Sequence, residues 1–390
     1  MKVLMINVVC GIRSTGRICT DLATALEEQG HEVKIAYGRE NVPEQFQKYA
    51  VRIGTDLDVK LHGVKARLLD GEGFGSKAAT IKFIKWVKEY DPDVIHLHNI
   101  HGYYINVEIL FDYLKKCGKK IIWTLHDCWS FTGHCVYFDY VGCDKWRLGC
   151  EHCPQKDEYP ARIGPDMSKK NYILKKKLFT GISNMTLVTP SQWLADLISD
   201  SYMKKYPVRV IHNGIDTDIF KPSDGNVKEK YHCQNKKIVL GVAAVWDKRK
   251  GLATFLRLSK RLDDSYQIIL VGLSKEQIKK MPRNIIGIER TNNVYELAEL
   301  YTAADVFVNP TLEDNYPTTN LEAIACGTPV ITYDTGGSGE SARMYGVCVN
   351  KSNFKELVNA VKNVKRICRA KIDIDYKSAV QKYVELYGKV

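Results

Sequence analysis

The chain has 390 residues, 45% of them apolar and 26% charged, which suits two globular domains of about 150–200 residues each. It lacks the run of roughly 18 apolar residues that a membrane-spanning helix needs, and the protein is expected in the cytoplasm. Its formal charge of +12 suits an anionic ligand or an acidic membrane surface; no aromatic–basic platform or recognition-helix signature accompanies the charge, so nucleic acid is not an expected partner.

The opening "MKVLMINVVCG" runs into the charged turn "GIRSTGR" without a small-residue cleavage site, and reads as a buried first strand rather than a signal peptide. "STGRICTDLATALEEQGH" follows, with Ile18, Leu22, Ala25 and Leu26 at helical spacing, and "EVKIAYG" is the next strand. Helix "KAATIKFIKWVKEY" leads to strand "DVIHLHN", and helix "EILFDYLKKCG" to strand "KIIWTLHD". Such alternation predicts an α/β fold with a doubly wound parallel sheet.

The alternation stops over about 128–165, a cysteine-rich insertion. It resumes with "SNMTLVTPSQWLADLIS" and "PVRVIHNGIDTDIFKP", then repeats in "KKIVLGVAA", "GLATFLRLSKRL", "YQIILVG", "VYELAELYTAA", "DVFVNP", "NLEAIACG" and "TPVITYD". A second open parallel sheet is expected. Two such domains would face one another across a cleft, with ligand beyond the carboxyl ends of the strands.

Within the insertion, Cys135, Cys143, Cys150 and Cys153 form a C-x7-C-x6-C-x2-C array. The closing C-x2-C, in a reducing setting, predicts a structural zinc site that would fold a segment poor in apolar residues. His134 and His152 are alternative ligands; unligated thiols, disulfides and an iron–sulfur cluster are the rival readings. Downstream, "SKKNYILKKKLF" places five lysines around Tyr172, Ile173, Leu174, Leu178 and Phe179. This stretch is read either as a peripheral contact with an anionic membrane or as a solvated helix face.

In "EDNYPTTNLEAIACGTPVIT" two acids, Asp314 and Glu322, stand eight positions apart around a helix start. Pro317 suits the first helical positions because its missing N–H would be unpaired there. Thr318, Thr319, Asn320 and Leu321 would then offer backbone amides at the positive end of the helix dipole, a place for a diphosphate. Glu322 lies one turn further in.

Four stretches, "IHNGIDTDIFKP", "DKRKGL", "AELYTAADVFVNPTLEDNYPTTNLEAIACGTPVI" and "TGGSGE", together with "EEQGHEV" and "TLHD", resemble the retaining glycosyltransferases of family 4. The resemblance covers nearly the whole chain in the right order. It implies the GT-B fold: a Rossmann-like acceptor-side domain over 1–212, a nucleotide-sugar-binding Rossmann-like domain over 213–373, and a last helix over 374–390 returning to the first. It further implies that Glu322 accepts hydrogen bonds from a ribose and that Asp314, where the family has glutamate, contacts the donor sugar. Lys250 of "RKG" matches the family lysine on the diphosphate. The family arginine of a "GR" pair is absent from "GVAAVWDKRKG"; Arg249 or Lys248 could replace it, or Arg13 or Arg17 from the first domain. Glu313, beside Asp314, could present a glutamate after a one-residue shift.

His126, ending "TLHD", matches a family histidine beside the donor sugar, and His98 and His101 are read as shaping the acceptor side. Gly16 would allow backbone to approach phosphate. The resemblance implies a hexosyltransferase that moves sugar from a nucleotide-sugar, with uridine the commonest base, to a saccharide or lipid-linked saccharide in cell-surface polysaccharide synthesis. It implies front-face attack and no catalytic metal. The alternatives are a sugar-nucleotide epimerase of the same fold and a degenerate, non-catalytic nucleotide-sugar-binding protein.

Overall fold

The computed structural model describes residues 1–351, 353–365 and 374–388, and the chain divides into two compact units, Met1–His212 with Val380–Val390, and Asn213–Ala379. The first unit is built on seven parallel strands: β1 (Lys2–Asn7), β2 (Glu32–Tyr37), β3 (Ala50–Arg52), β4 (Val94–Leu97), β5 (Lys120–Thr124), β6 (Met185–Thr189) and β7 (Val208–Val210). Their order is β3-β2-β1-β4-β5-β6-β7. The second unit has six parallel strands: β8 (Lys237–Val242), β9 (Tyr266–Val271), β10 (Ile285–Ile288), β11 (Val306–Asn309), β12 (Val330–Tyr333) and β13 (Gly346–Val349). They run β10-β9-β8-β11-β12-β13.

Central strands are apolar along their length because helices cover both faces of the sheet: Val3 to Ile6 of β1 and Ile238 to Leu240 of β8 are all buried. The helix Arg13–Glu28 buries Cys19, Leu22, Ala23 and Leu26, so its inward face is rotated slightly from the expected Ile18–Leu22–Ala25–Leu26 stripe, whose Ile18 and Ala25 are half-buried. The expected boundary between 373 and 374 borders segment 366–373, which lies outside the described residues. In the helix Tyr376–Gly388, the Tyr387 hydroxyl lies 2.6 Å from His96 Nδ1 and the Tyr383 hydroxyl 3.0 Å from Thr124 Oγ1.

The insertion does not lack apolar side chains to pack. Phe131, Phe138 and Trp146 are buried and join the main core of the first unit; Phe138 and Trp146 stack at 5.0 Å and 24°. The segment is thus folded by aromatic packing. Cys135, Cys143, Cys150 and Cys153 are free thiols lining one small cavity with His134. Among the described residues no group of three or more His, Cys, Asp or Glu side chains is arranged to hold a metal ion. The zinc expectation is therefore not supported, and its premise, a segment too polar to pack, is corrected.

The lysine-rich stretch is a helix, Ser168–Phe179, with Tyr172, Lys175 and Phe179 buried. Lys175 Nζ donates to the carbonyls of Trp129 (2.8 Å) and Thr132 (3.2 Å) and sits 3.5 Å from the centre of the Trp129 ring. Burial pulls its pKa down to about 7. Of the apolar side chains expected at a membrane, only Ile173 is exposed. No helix among the described residues is long and apolar enough to cross a membrane.

Candidate functional site

In the second unit the strand order reverses between β8 and β11, the position where open α/β sheets receive ligands. The loops leaving these two strands carry Lys250 and Asp314. Lys250 Nζ lies 2.6 Å from Asp314 Oδ2, with side chains 23% and 14% exposed.

The loops hold one another through backbone. The Leu312 amide donates to the Arg249 carbonyl (2.7 Å), and Arg249 Nη1 to the Glu313 carbonyl (3.3 Å). The Lys250 amide donates to Asp247 Oδ1 at 2.8 Å. Gly251 has φ +78°, and a Cβ there would lie 2.2 Å from the Pro310 carbonyl oxygen. Gly336 has φ +54°, and its Cβ would lie 1.9 Å from the Asp314 carbonyl oxygen, which accepts the Gly337 amide at 3.1 Å. Only glycine tolerates both the left-handed backbone and such an approach. Asp314, not the buried Glu313, is the acid that meets Lys250.

Three residues on, Pro317 is the N-cap of the helix Thr318–Ala325, in extended conformation with no side-chain cap. Thr318 and Thr319 form its half-buried first turn. The Asn320 amide is engaged by the Pro317 carbonyl at 3.2 Å. Its buried side chain accepts from Asn309 Nδ2 (2.8 Å) and donates to Ser341 Oγ (3.1 Å), which pins this helix to β11 and to the helix Ser338–Tyr345. Leu321 is buried in the core. Glu322, 8% exposed, accepts from the Tyr301 hydroxyl at 2.9 Å.

In the first unit, His98 and His126 follow just beyond the ends of β4 and β5. His98 Nδ1 lies 3.1 Å from His126 Nε2, and their rings stack at 5.4 Å. Burial lowers the His126 pKa to about 4, with Asp127 opposing the shift, and holds His98 well below its ordinary value. Both are neutral near pH 7. His101 behaves oppositely: burial would depress it, but Asp127, 2.8 Å from Nε2, raises it. Gly16 lies within the helix Arg13–Glu28, where a Cβ would come 3.1 Å from Val9 and 3.2 Å from the Gly11 nitrogen. Its missing side chain makes room for the chain's own turn.

Sequence reading did not single out Tyr301, which hides at an ordinary buried helical position, nor the Asp127–His101 pair. Gly336 lay within the quoted "TGGSGE" without an assigned role.

Residues 15–219 match the model described as Glycosyltransferase Family 4, and residues 236–366 that described as Glycosyl transferases group 1. This chain belongs to glycosyltransferase family 4. As a family 4 glycosyltransferase it is 26% identical over 366 residues to WcaC of Escherichia coli (strain K12), a glycosyl transferase assigned to colanic acid biosynthesis. That similarity spans 89% of this chain and 86% of WcaC. It is 27% identical over 166 residues to the processive diacylglycerol alpha-glucosyltransferase of Acholeplasma laidlawii, covering 40% of this chain and 49% of that protein. Two solved structures share its GT-B fold. Sucrose-phosphate synthase from Thermosynechococcus elongatus superimposes with TM-score 0.73 at 16% identity, covering 99% and 98% of the two chains. Anabaena Alr3699/HepE in complex with UDP-glucose gives 0.67 at 15% identity, covering both chains fully. None of these favours the epimerase reading.

Proposed function

We propose that this glycosyltransferase takes its sugar from a nucleoside-diphosphate sugar, UDP-linked by preference, and passes it with retention to a saccharide or lipid-linked saccharide during cell-surface polysaccharide assembly. The observation that carries the reading is the Lys250–Asp314 pair at the strand-order reversal, beside a helix N-terminus that no side chain caps. Positive charge and helix dipole converge where a departing diphosphate would gather negative charge, and such prearranged charge is the largest single lever in group transfer. The roles follow from position. Lys250, the amides of Thr318 and Thr319, and Arg249 nearby would meet the diphosphate. Glu322, steadied by Tyr301, would take the ribose hydroxyls, and Asp314 the sugar hydroxyls. No protein nucleophile is needed in this reading: the acceptor attacks the face the phosphate leaves, and a phosphate oxygen takes its proton. The names of WcaC and of the UDP-glucose complex support the setting and the base.

A thermal-shift screen of nucleotide-sugars tests this, since a ligand at 100 times its Kd stabilises by about 2.7 kcal/mol. A UDP-sugar that raises the melting temperature, and then yields an α-configured product by NMR, is the expected result. No shift from any nucleotide-sugar would overturn the reading.

A further inference from the structure

The helix Asp56–Leu69 is turned inside out. It buries only His62 and Ala66, while Leu57, Leu61, Val64, Leu68 and Leu69 are 64%, 61%, 54%, 48% and 57% exposed. The first four recur at steps of four, three and four residues, which sets them on one stripe. Single exposed leucines are ordinary on a protein surface, but a contiguous apolar stripe marks a contact surface. The stripe does not end with the helix. The amides of Ile163 and Gly164 donate to the Arg67 carbonyl at 2.9 and 3.1 Å, which sets Ile163, 78% exposed, beside the helix end.

The charges decide what covers this face. From Leu57 to Leu69 every exposed residue is apolar or cationic, the cations being Lys60 and Arg67. Asp56, at the first position and 82% exposed, is paired with Arg52 at 2.5 Å, and the half-buried Asp58 accepts from the Thr55 amide and hydroxyl at 2.8 Å each. The acids just beyond the helix, Asp70 and Glu72, are buried. Leucines flanked by exposed Lys and Arg, with the acids paired or hidden, complement an anionic bilayer: side chains enter the acyl boundary while the cations meet headgroups.

We infer that the helix Asp56–Leu69, with Ile163, is the surface by which this chain lies on an anionic membrane. The lysine-rich helix Ser168–Phe179 presents Ile173 as its one exposed apolar side chain, with Tyr172 and Phe179 buried. The inference does not depend on which sugar the enzyme carries.

The test is co-sedimentation of the full chain with vesicles of phosphatidylcholine alone and of phosphatidylcholine with phosphatidylglycerol. The expected result is binding to the anionic vesicles, weaker in high salt, and reduced at least tenfold in Leu57→Ser/Leu61→Ser and in Lys60→Glu/Arg67→Glu. Ile173→Ser should bind like the parent. Thermal melting checks that each variant is folded; the changed side chains are exposed. Parent protein that stays in the supernatant would overturn the proposal, as would leucine variants that bind undiminished. A parent that ignores vesicles but sediments as a dimer, with the leucine variants monomeric, would assign the face to a second copy instead.

Discussion

Lys250 and Asp314 are 64 residues apart in sequence, yet Nζ and Oδ2 meet at 2.6 Å because β8 and β11 are neighbours in the sheet. Under the proposed roles, the residue that would meet the diphosphate and the one that would meet the sugar hold each other directly.

Lys250→Ala should lower turnover by about two to three orders of magnitude, the usual effect of deleting a group aimed at developing charge, and should also lower the melting temperature, because Asp314, 14% exposed, loses its cationic partner. Asp314→Asn separates the two roles: it frees Lys250, so UDP should bind as well or better while sugar transfer falls. Calorimetry with UDP and initial rates would check both, and full activity in Lys250→Ala would remove the charge-stabilisation argument.

Glu322→Ala should weaken UDP binding by about tenfold or more, the loss of one charged hydrogen-bond set. Tyr301→Phe, which removes the 2.9 Å bond that steadies the carboxylate, should weaken it by a smaller factor in the same direction. Unchanged UDP affinity in Glu322→Ala would refute the ribose assignment.

Gly336→Ala places a Cβ 1.9 Å from the Asp314 carbonyl oxygen at φ +54°. Backbone strain of this kind costs about 1–3 kcal/mol, and relief requires moving the loop that bears Asp314. Sugar transfer should therefore fall more steeply than the melting temperature. An alanine variant with parent-like rates would show that the close approach is immaterial.

Acid should destabilise the fold above the carboxylate range. Burial lowers His62 and His126 to about 4 and His96 to about 3, and holds His98 well below its ordinary value. As pH falls below 6.5 the unfolded chain takes protons that the folded chain refuses, so stability present at neutral pH is lost toward pH 4, by at most about 1.4 kcal/mol per pH unit per group. His101, raised by Asp127 against the opposing pull of burial, has the reverse sign: its contribution is present below 6.5 and fades as pH rises through its raised pKa. His31 is also lowered by burial, and Glu72, raised by burial, acts in the same sense as His101; five groups outweigh two, and calorimetric melting at pH 7, 6 and 5 should show a falling midpoint. A midpoint that holds or rises would mean the histidines titrate as in water.

Much of the fold was legible because a strand covered on both faces must be apolar throughout. The run at β1 stood out in that way, and the alternation of strands with helices marked β4, β5, β8, β9, β11 and β12. The strands not read, β3, β10 and β13, are sheet edges, and their residues are mostly half-buried. With one face less covered, no continuous apolar run marks them. The helix Asp56–Leu69 went unread for a related reason: its leucines point outward, and the core did not select its pattern.

By itself the sequence determined the class of fold, the family, and the residue types gathered near a helix start, since periodicity and motif spacing are local properties of the chain. Tertiary structure alone decided which acid meets Lys250, that the Asn320 side chain holds the helix while Tyr301 holds Glu322, and that the insertion packs on Phe131, Phe138 and Trp146. Those outcomes depend on contacts between residues distant in sequence, and strand order, not spacing, brings such residues within bonding distance.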